Sequence, residues 1–565
     1  MTQIQNYADF LNGKTATFEG GVAWKMDFKE TVAEFFSLGL LNGMFYQSQE
    51  EVLRDAAEIF TKALAECPEF ATKAAVYGRT KNALKLAPLI WGAYLSTLED
   101  KTLFNRAFPH LTNNVNLLRD FMEICRKTPI RKGLGRSVKR AVNKRLFELA
   151  SDYSVSRNKN AVAEIAKVTR PAFNDERFQN YMRYTAKDEL SFERAVALKR
   201  VLEKIAGNEV DDDVLASIEK YRFQLEELKH AVNSFTQAHG EKLAALIKKE
   251  AGEKDAEKRA ALKTEIDKLL EKRANALSGD AKRTLYAALY KGLRYAALIL
   301  NLVALERVFA AQTRTVQKHS NKGRFTQQEM IKSEIPAALE ALVCDKIRNV
   351  SDYRASNMLP FALISAQRMV TNTWFKEALA EVLTACAGDT FTIPADTEIL
   401  VGVDISGSMD VMVNDSLSAR DVSTLFGALL KMSHENTRVC GLSDDCYPLD
   451  FKTADLFGMA REIGDSGTHG GTRLGFLMKA YRGQKFVIIL TDSETADDFE
   501  AVWKKTARKK GARLIVWQLQ AYHIKLSKDP SVVYIAGFSD RLLALVKSII
   551  EDQGSMIEDI ENVAL

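Results

Sequence analysis

Residues 398–410 read EILVGVDISGSMD. An uninterrupted apolar run with β-branched residues, short and bounded by turn-formers, is the pattern of a fully buried strand. Three more runs follow it: FVIILTD (486–492), ARLIVWQLQ (512–520) and VVYIAGF (532–538). Helical periodicity separates them. In DVSTLFGALLKMSHE (421–435) the side chains of Val422, Leu425, Phe426, Leu429 and Leu430 share one face, and DRLLALVKSII (540–550) is a closing helix. TRVCGLSDDCYPLDF (437–451) reads as a hairpin. Apolar strands alternating with helices predict an α/β, doubly wound and mostly parallel sheet over residues 391–565. In such sheets ligands sit outside the carboxyl ends of the strands.

Three loops leave the sheet at that edge. The first carries Asp404, Ser406 and Ser408; GDSGTHGGTRLG (464–475) carries Thr472 in a glycine turn; LTDSE (490–494) carries Asp492. Two carboxylates and three hydroxyls without His or Cys form a hard oxygen set, which suits Mg²⁺ first, with Mn²⁺ and Ca²⁺ as the other candidates. So few carboxylates leave the cation with residual charge, so one more oxygen is expected from outside. A hydrolase fits poorly. Ser406 stands where a DxD pair would place its second acid, no His is placed by pattern as a base, and VDISGS is not G-x-S-x-G. A phosphate-cradling loop lacks its G-K-[ST]. The expectation is a binding protein, not an enzyme.

The 565 residues exceed one ordinary core, and 46% hydrophobic with 27% charged residues describes a globular chain. There is no signal pattern and no membrane-length apolar run, since YAALILNLVALERVF (295–309) is broken by Asn301 and Glu306. Six scattered cysteines without CxxC pairs predict neither a zinc site nor a disulfide framework, and a cytoplasmic location follows. The net charge of +5 hides an asymmetry: about 60 Lys+Arg face 49 Asp+Glu up to Ala395, and 19 face 25 after it, roughly +11 and −6.

Residues 1–390 read as all-α, with helices from about 28 to 385. EVLRDAAEIFTKALAECP (51–68) places Val52, Ala56, Ile59, Phe60, Ala63 and Leu64 at helical spacing and stops at Pro68. Many such segments with short polar links predict a solenoid of stacked helix pairs. Residues 209–285 stand apart: Val214, Ile218, Tyr221, Leu225, Leu228 and Val232 form one coiled-coil seam, and Leu262, Ile266 and Leu269 a second. They read as an inserted antiparallel helical hairpin.

The densest charge run is RKTPIRKGLGRSVKRAVNKR (126–145), with nine Lys/Arg and no acid. Arg136, Lys139, Arg140 and Lys144 share one helix face after the GLG turn, with Lys132 before it. Arg157, Lys159 and Arg170 follow, interleaved with aromatic residues. Such a face neutralises phosphates and releases counterions.

These motifs carry a resemblance. Asp404-Ile-Ser406-Gly-Ser408, then Thr472, then Asp492 resembles the metal-ion-dependent adhesion site of von Willebrand factor A domains. In that family the serines bind the ion, the threonine does so in one conformational state, and a partner's carboxylate completes the shell. EGGVAWKMDFKETVAEFFSLGLLNGMFYQSQEE (19–51), RKGLGRSVKRAVNKRLF (131–147), LRYAALILNLVALERV (293–308) and SDYRASNMLPFALISAQRMV (351–370) resemble TROVE segments of the Ro autoantigen family, and the whole is similar to a bacterial-type member. The resemblance implies a HEAT-repeat solenoid closed into a ring, followed by the von Willebrand A domain. It implies an RNA-binding role in RNA quality control or stress response, with single-stranded 3′ ends of misfolded RNA in a basic hole and a small noncoding Y RNA on the surface. It further implies, through that RNA, an exoribonuclease partner. DYSVSRNKNAVAEIAKVTRP (152–171) matches the Y RNA stretch at Arg157 and Arg170, and Arg170 stands where the family has a His. The competing expectation is a metal-dependent protein-interaction scaffold whose basic helices meet an acidic protein.

Overall fold

The computed structural model describes residues 14–565 except 40, 42–43, 45, 132, 208, 224–226, 321–322, 357, 359, 414–416, 540–541, 552–554 and most of 229–278. The chain forms two compact units, one of Met1–Arg145, Tyr353–Ser365 and Glu377–Leu565, the other of Leu146–Asp352 and Ala366–Lys376. Position 390 marks a change in the kind of secondary structure; compactness divides the chain elsewhere.

The first unit begins with two short strands, β1 (Lys14–Ala16) and β2 (Val22–Lys25), which pair antiparallel. A helix over Phe28–Leu38 follows, opened by an Asp27/Glu30 capping box and closed by Gly39 at φ 63°. The helix Gln49–Glu66 buries Val52, Ala56, Ile59, Phe60 and Ala63, as the periodicity predicts, and Pro68 both follows it and opens the next helix at Pro68–Thr80. The helix Gly135–Leu149 buries Val138, Val142 and Leu146, one turn apart.

In the second unit an eleven-residue pair, β3 (Ala310–Ser320) and β4 (Gly323–Ser333), runs antiparallel. With β1 and β2, it corrects the all-α reading of residues 1–390. The β3–β4 sequence is mostly polar and Thr-containing, so a search for apolar periodicity passes over it. The inserted hairpin lies largely outside the described residues. At its start the helix Asp212–Tyr221, which buries Val214 and Ile218, ends with Arg222 in the left-handed region at φ 51°. The helix therefore stops at Tyr221, and Leu225 and Val232 of the expected seam lie outside the described residues. The helix Tyr295–Val308 carries a buried Glu306, whose carboxylate accepts from the backbone N–H of Thr371 at 2.9 Å and of Asn372 at 2.7 Å.

Further helices follow in the first unit, and its residues 399–536 build a six-stranded sheet with helices between the strands. Its strands are β5 (Ile399–Asp404), β6 (Thr437–Leu442), β7 (Cys446–Pro448), β8 (Phe486–Thr491), β9 (Arg513–Gln518) and β11 (Val532–Ala536), ordered β11-β9-β8-β5-β6-β7. All pairs are parallel except β6–β7, the anticipated hairpin. Every residue of β5 and of β8 is buried, which explains their unbroken apolar spelling. A separate strand, β10 (Ile524–Lys525), pairs with β2, so residues 14–25 join a three-stranded sheet with the α/β region.

Gly402 sits in central strand β5, where a Cβ would stand 2.6 Å from Leu442 Cδ1 and 2.8 Å from Leu477 Cδ2. Gly402→Ala should therefore overpack this core and cost about 1–3 kcal/mol. A lower urea midpoint for the sheet's unfolding checks it; an unchanged midpoint would show that the two leucines yield freely.

Candidate cation centre and basic helix face

Parallel pairing of β5 with β8 brings their carboxyl ends side by side, so Asp404, last in β5, and Asp492, just past β8, open onto one edge. Asp404 and Asp492 are fully buried, and Ser406, Ser408 and Thr472 are nearly so. All five sequence-predicted donors therefore lie buried in the loops at this strand edge. Asp404 Oδ1 accepts from the Ser406 hydroxyl at 2.6 Å and from the Ser406 N–H at 3.0 Å, and the Ser406 and Ser408 hydroxyls stand 3.2 Å apart. The Thr472 turn approaches the serine loop through the Gly407 N–H, which donates to the Gly470 carbonyl at 3.4 Å.

Several contributors were absent from the sequence reading. Thr491 Oγ1 donates to Asp404 Oδ2 at 2.7 Å. Gln520 Nε2 donates to the Ser408 carbonyl at 2.9 Å and reaches Asp492 Oδ2 at 3.4 Å. Arg420 Nη2 donates to the Ser406 carbonyl at 3.0 Å while pairing with Asp410 at 2.8 Å. Glu494 is buried beside Asp492, and its N–H donates to Asp492 Oδ1 at 3.0 Å. Thr491 precedes Asp492 and Glu494 follows it two positions on in LTDSE, and that proximity was the available signal.

Burial pushes Asp404 up to about 6, against the pull of its Ser406 and Thr491 hydrogen bonds and of Arg420. Burial and then the Asp404 charge push Asp492 well above the ordinary carboxylate range. Burial likewise raises Glu494 to about 7. Thr472 Oγ1 is buried with no hydrogen-bond partner among the described residues. Unanswered negative charge beside an orphaned hydroxyl oxygen is what a divalent cation would satisfy. Among the described residues no three His, Cys, Asp or Glu side chains stand together as a metal-ligand set. The donors here are two carboxylates plus hydroxyls, a composition that suits Mg²⁺ rather than zinc. His469, the nearby histidine, bonds through Nδ1 to the Ile405 carbonyl at 3.0 Å and is thereby held on the backbone.

Basic residues divide into scaffolding and exposed groups. Arg131 donates to Ser96, Gly133 and Leu134 and so fastens the GLG turn, and Arg145 donates to Thr112 and Pro109. Arg136, Lys139, Arg140 and Lys144 occupy the exposed face of the helix 135–149, and the first three make no ion pair or hydrogen bond among the described residues. Lys132 lies outside the described residues. In the other unit Arg157 is exposed and donates to the Tyr153 hydroxyl at 2.6 Å. Lys159 is paired with Asp188 and lies over the Tyr184 ring at 4.7 Å, so it is partly engaged. Arg170 is exposed and caps the helix Lys159–Thr169 in the left-handed region.

All six cysteines are free thiols, and among the described residues no helix is long and apolar enough to cross a membrane.

No family model matches the chain, and neither does any curated protein. Among solved structures, the crystal structure of the Deinococcus radiodurans Ro (Rsr) protein matches 92% of this chain and 100% of its own at a TM-score of 0.56 and 16% identity. The fold is therefore that of a Ro protein: a helix-rich front and a mixed α/β sheet region. An aerotolerance-related membrane protein from Bacteroides fragilis, in a form with multiple mutations to serine, covers 29% of this chain at 15% identity and a TM-score of 0.22, which carries no argument.

The fit of the donor set to a divalent cation yields a direct expectation. Mg²⁺ should raise the thermal midpoint of the full chain and EDTA should reverse the gain, while Asp404→Ala should abolish the response. Differential scanning calorimetry with and without Mg²⁺ measures it; an equal shift in the Asp404→Ala protein would place the ion elsewhere.

Proposed function

We propose that this chain is a bacterial-type Ro-like RNA-binding protein that works by holding RNA rather than by turning over a substrate. The observation that carries the reading is the exposed row Arg136, Lys139 and Arg140 on the helix 135–149, which makes no ion pair among the described residues, in a chain with the fold of a Ro protein. Cations spaced by one helical turn and left without acidic partners hold successive phosphates of a single strand. Arg157 and Arg170 extend the same chemistry toward a structured small RNA such as Y RNA. Arg170, in place of the family's His, contributes a phosphate contact.

The finer parts of the reading follow the Ro arrangement. Single-stranded 3′ ends of misfolded RNA would thread a basic hole in a ring of HEAT-like helix pairs, for RNA quality control or stress response in the cytoplasm. An exoribonuclease would join through the bound RNA. The oxygen cluster would hold Mg²⁺ through Asp404, Ser406, Ser408, Thr472 and Asp492, and the bound ion would supply a positive centre for one further carboxylate. That carboxylate comes either from an acidic protein partner or from the chain itself. The engaged His469 and the missing second acid of a DxD pair support binding over hydrolysis.

Fluorescence anisotropy with a labelled single-stranded RNA over a salt series tests the proposal. Affinity should fall linearly on a log–log plot, and charge reversal at Arg136, Lys139 and Arg140 should flatten the slope by about 2 as three phosphate contacts are lost. Asp404→Ala should leave the slope unchanged. A flat salt response in the unmodified protein would overturn the RNA reading and leave the metal-dependent scaffold.

A further inference from the structure

Between β1 and β2 the chain turns through Thr17, Phe18, Glu19 and Gly20, and this turn lies on the segment that follows Asp492. The Thr17 hydroxyl donates to the Thr495 carbonyl at 2.5 Å, the Gly21 N–H donates to the same carbonyl at 3.0 Å, and the Phe18 N–H donates to Glu494 Oε2 at 2.6 Å. Contact is close enough that a Cβ at Gly21 would stand 2.2 Å from the Thr495 carbonyl oxygen. Phe18 stacks on Tyr46 at 5.1 Å and meets Tyr522 edge-on at 5.7 Å. The Tyr522 hydroxyl donates at 3.0 Å to Gln520, the residue that reaches Asp492 and Ser408. The hairpin is thus tied by backbone and side chain to the walls of the oxygen cluster.

Glu19 stands at the tip of this turn. Its Oε1 accepts from the Tyr46 hydroxyl, which fixes the carboxylate's direction. Its Oε2 lies 3.2 Å from where a Cβ on Gly471 would be, next to Thr472. On the segments this turn touches, two buried oxygens have no hydrogen-bond partner among the described residues: Thr472 Oγ1, next to Gly471, and Glu494 Oε1, on the carboxylate that the Phe18 N–H engages. A carboxylate carried onto an already acidic, unsatisfied cluster is unfavourable unless a cation answers it.

Resting on the cation reading above, we infer that Glu19 is the chain's own carboxylate for the metal centre, so that a divalent cation fastens the β1–β2 hairpin to the sheet instead of presenting a free position to an acidic partner. Glu19 reaches the Gly471–Thr472 turn and hydrogen-bonds neither Asp404 nor Asp492 among the described residues, so it would engage through one of the waters that Mg²⁺ retains. Asp404 and Asp492 would hold the ion directly, and Glu19 would be neutralised through the ion's hydration. An external acidic ligand would have to displace Glu19 first.

The experiment uses the full chain and Mg²⁺ alone. Calorimetric titration gives affinity, and hydrogen exchange over residues 14–25, with and without Mg²⁺, gives hairpin order. In the unmodified protein Mg²⁺ should bind and slow exchange in the hairpin. Glu19→Gln keeps an acceptor for Tyr46, so the fold persists; it should weaken Mg²⁺ by about tenfold or more and remove the Mg²⁺-dependent slowing. Gly21→Ala, which displaces the turn, should do the same, while exchange across β5 and β8 stays slow in both variants. Tight binding and Mg²⁺-dependent hairpin order retained in Glu19→Gln would overturn the proposal while the cation centre stands. No Mg²⁺ binding by the unmodified protein would overturn the centre and the proposal together.

Discussion

Two carboxylates are buried at the ends of adjacent parallel strands, and much of the α/β region is arranged around that fact. Parallel register sends β5 and β8 out of the sheet at the same edge, so Asp404 and Asp492 cannot be kept apart without changing the sheet itself. Both are removed from water, and like charges in such surroundings resist simultaneous ionisation. Thr491, Ser406, Gln520 and Arg420 each contribute a dipole or charge that tempers the problem without removing it. A positive charge among them would remove it, which is the physical ground of the cation site proposed above.

The α/β half was legible because its physics is written locally. A strand buried on both faces must be apolar throughout, and β5 and β8 are spelled that way; the loop after each strand then falls at a predictable edge. Asp404, Ser406, Ser408, Thr472 and Asp492 followed from that placement. Gln520 and Arg420 did not, because their contacts are set by loop geometry and leave no periodic trace. Glu19 was further out of reach: it meets the Gly471 turn across more than four hundred positions, and the strands either side of it are three and four residues long.

In the helical regions, spacing separated exposed from structural basic residues only in part. Arg136, Lys139, Arg140 and Lys144 fall opposite Val138, Val142 and Leu146, as one turn of a helix dictates. Arg131 looks equivalent by composition, yet its guanidinium is spent on backbone carbonyls around the GLG turn. Lys159 is drawn to Asp188, a pairing that no local pattern announces. The break at Arg222 was hidden for another reason: a heptad pattern continues across it, and a left-handed residue leaves no mark on hydrophobic periodicity.

The pairing of β2 with β10 has a consequence for how the chain comes off the ribosome. Residues 22–25 are made early, but their partner at 524–525 appears only about five hundred residues later, and the Thr17–Thr495 bond spans a separation of 478. Until then β2 keeps an open edge with apolar Val22-Ala23-Trp24 followed by Lys25, and Lys14 stands opposite Trp24 on β1. Long-range closure of this kind is slow and exposes strand edges in the interval. The flanking Lys14 and Lys25 discourage wrong pairing during that wait, and maturation of the sheet's far end becomes a late, whole-chain event rather than the folding of an autonomous carboxyl-terminal module.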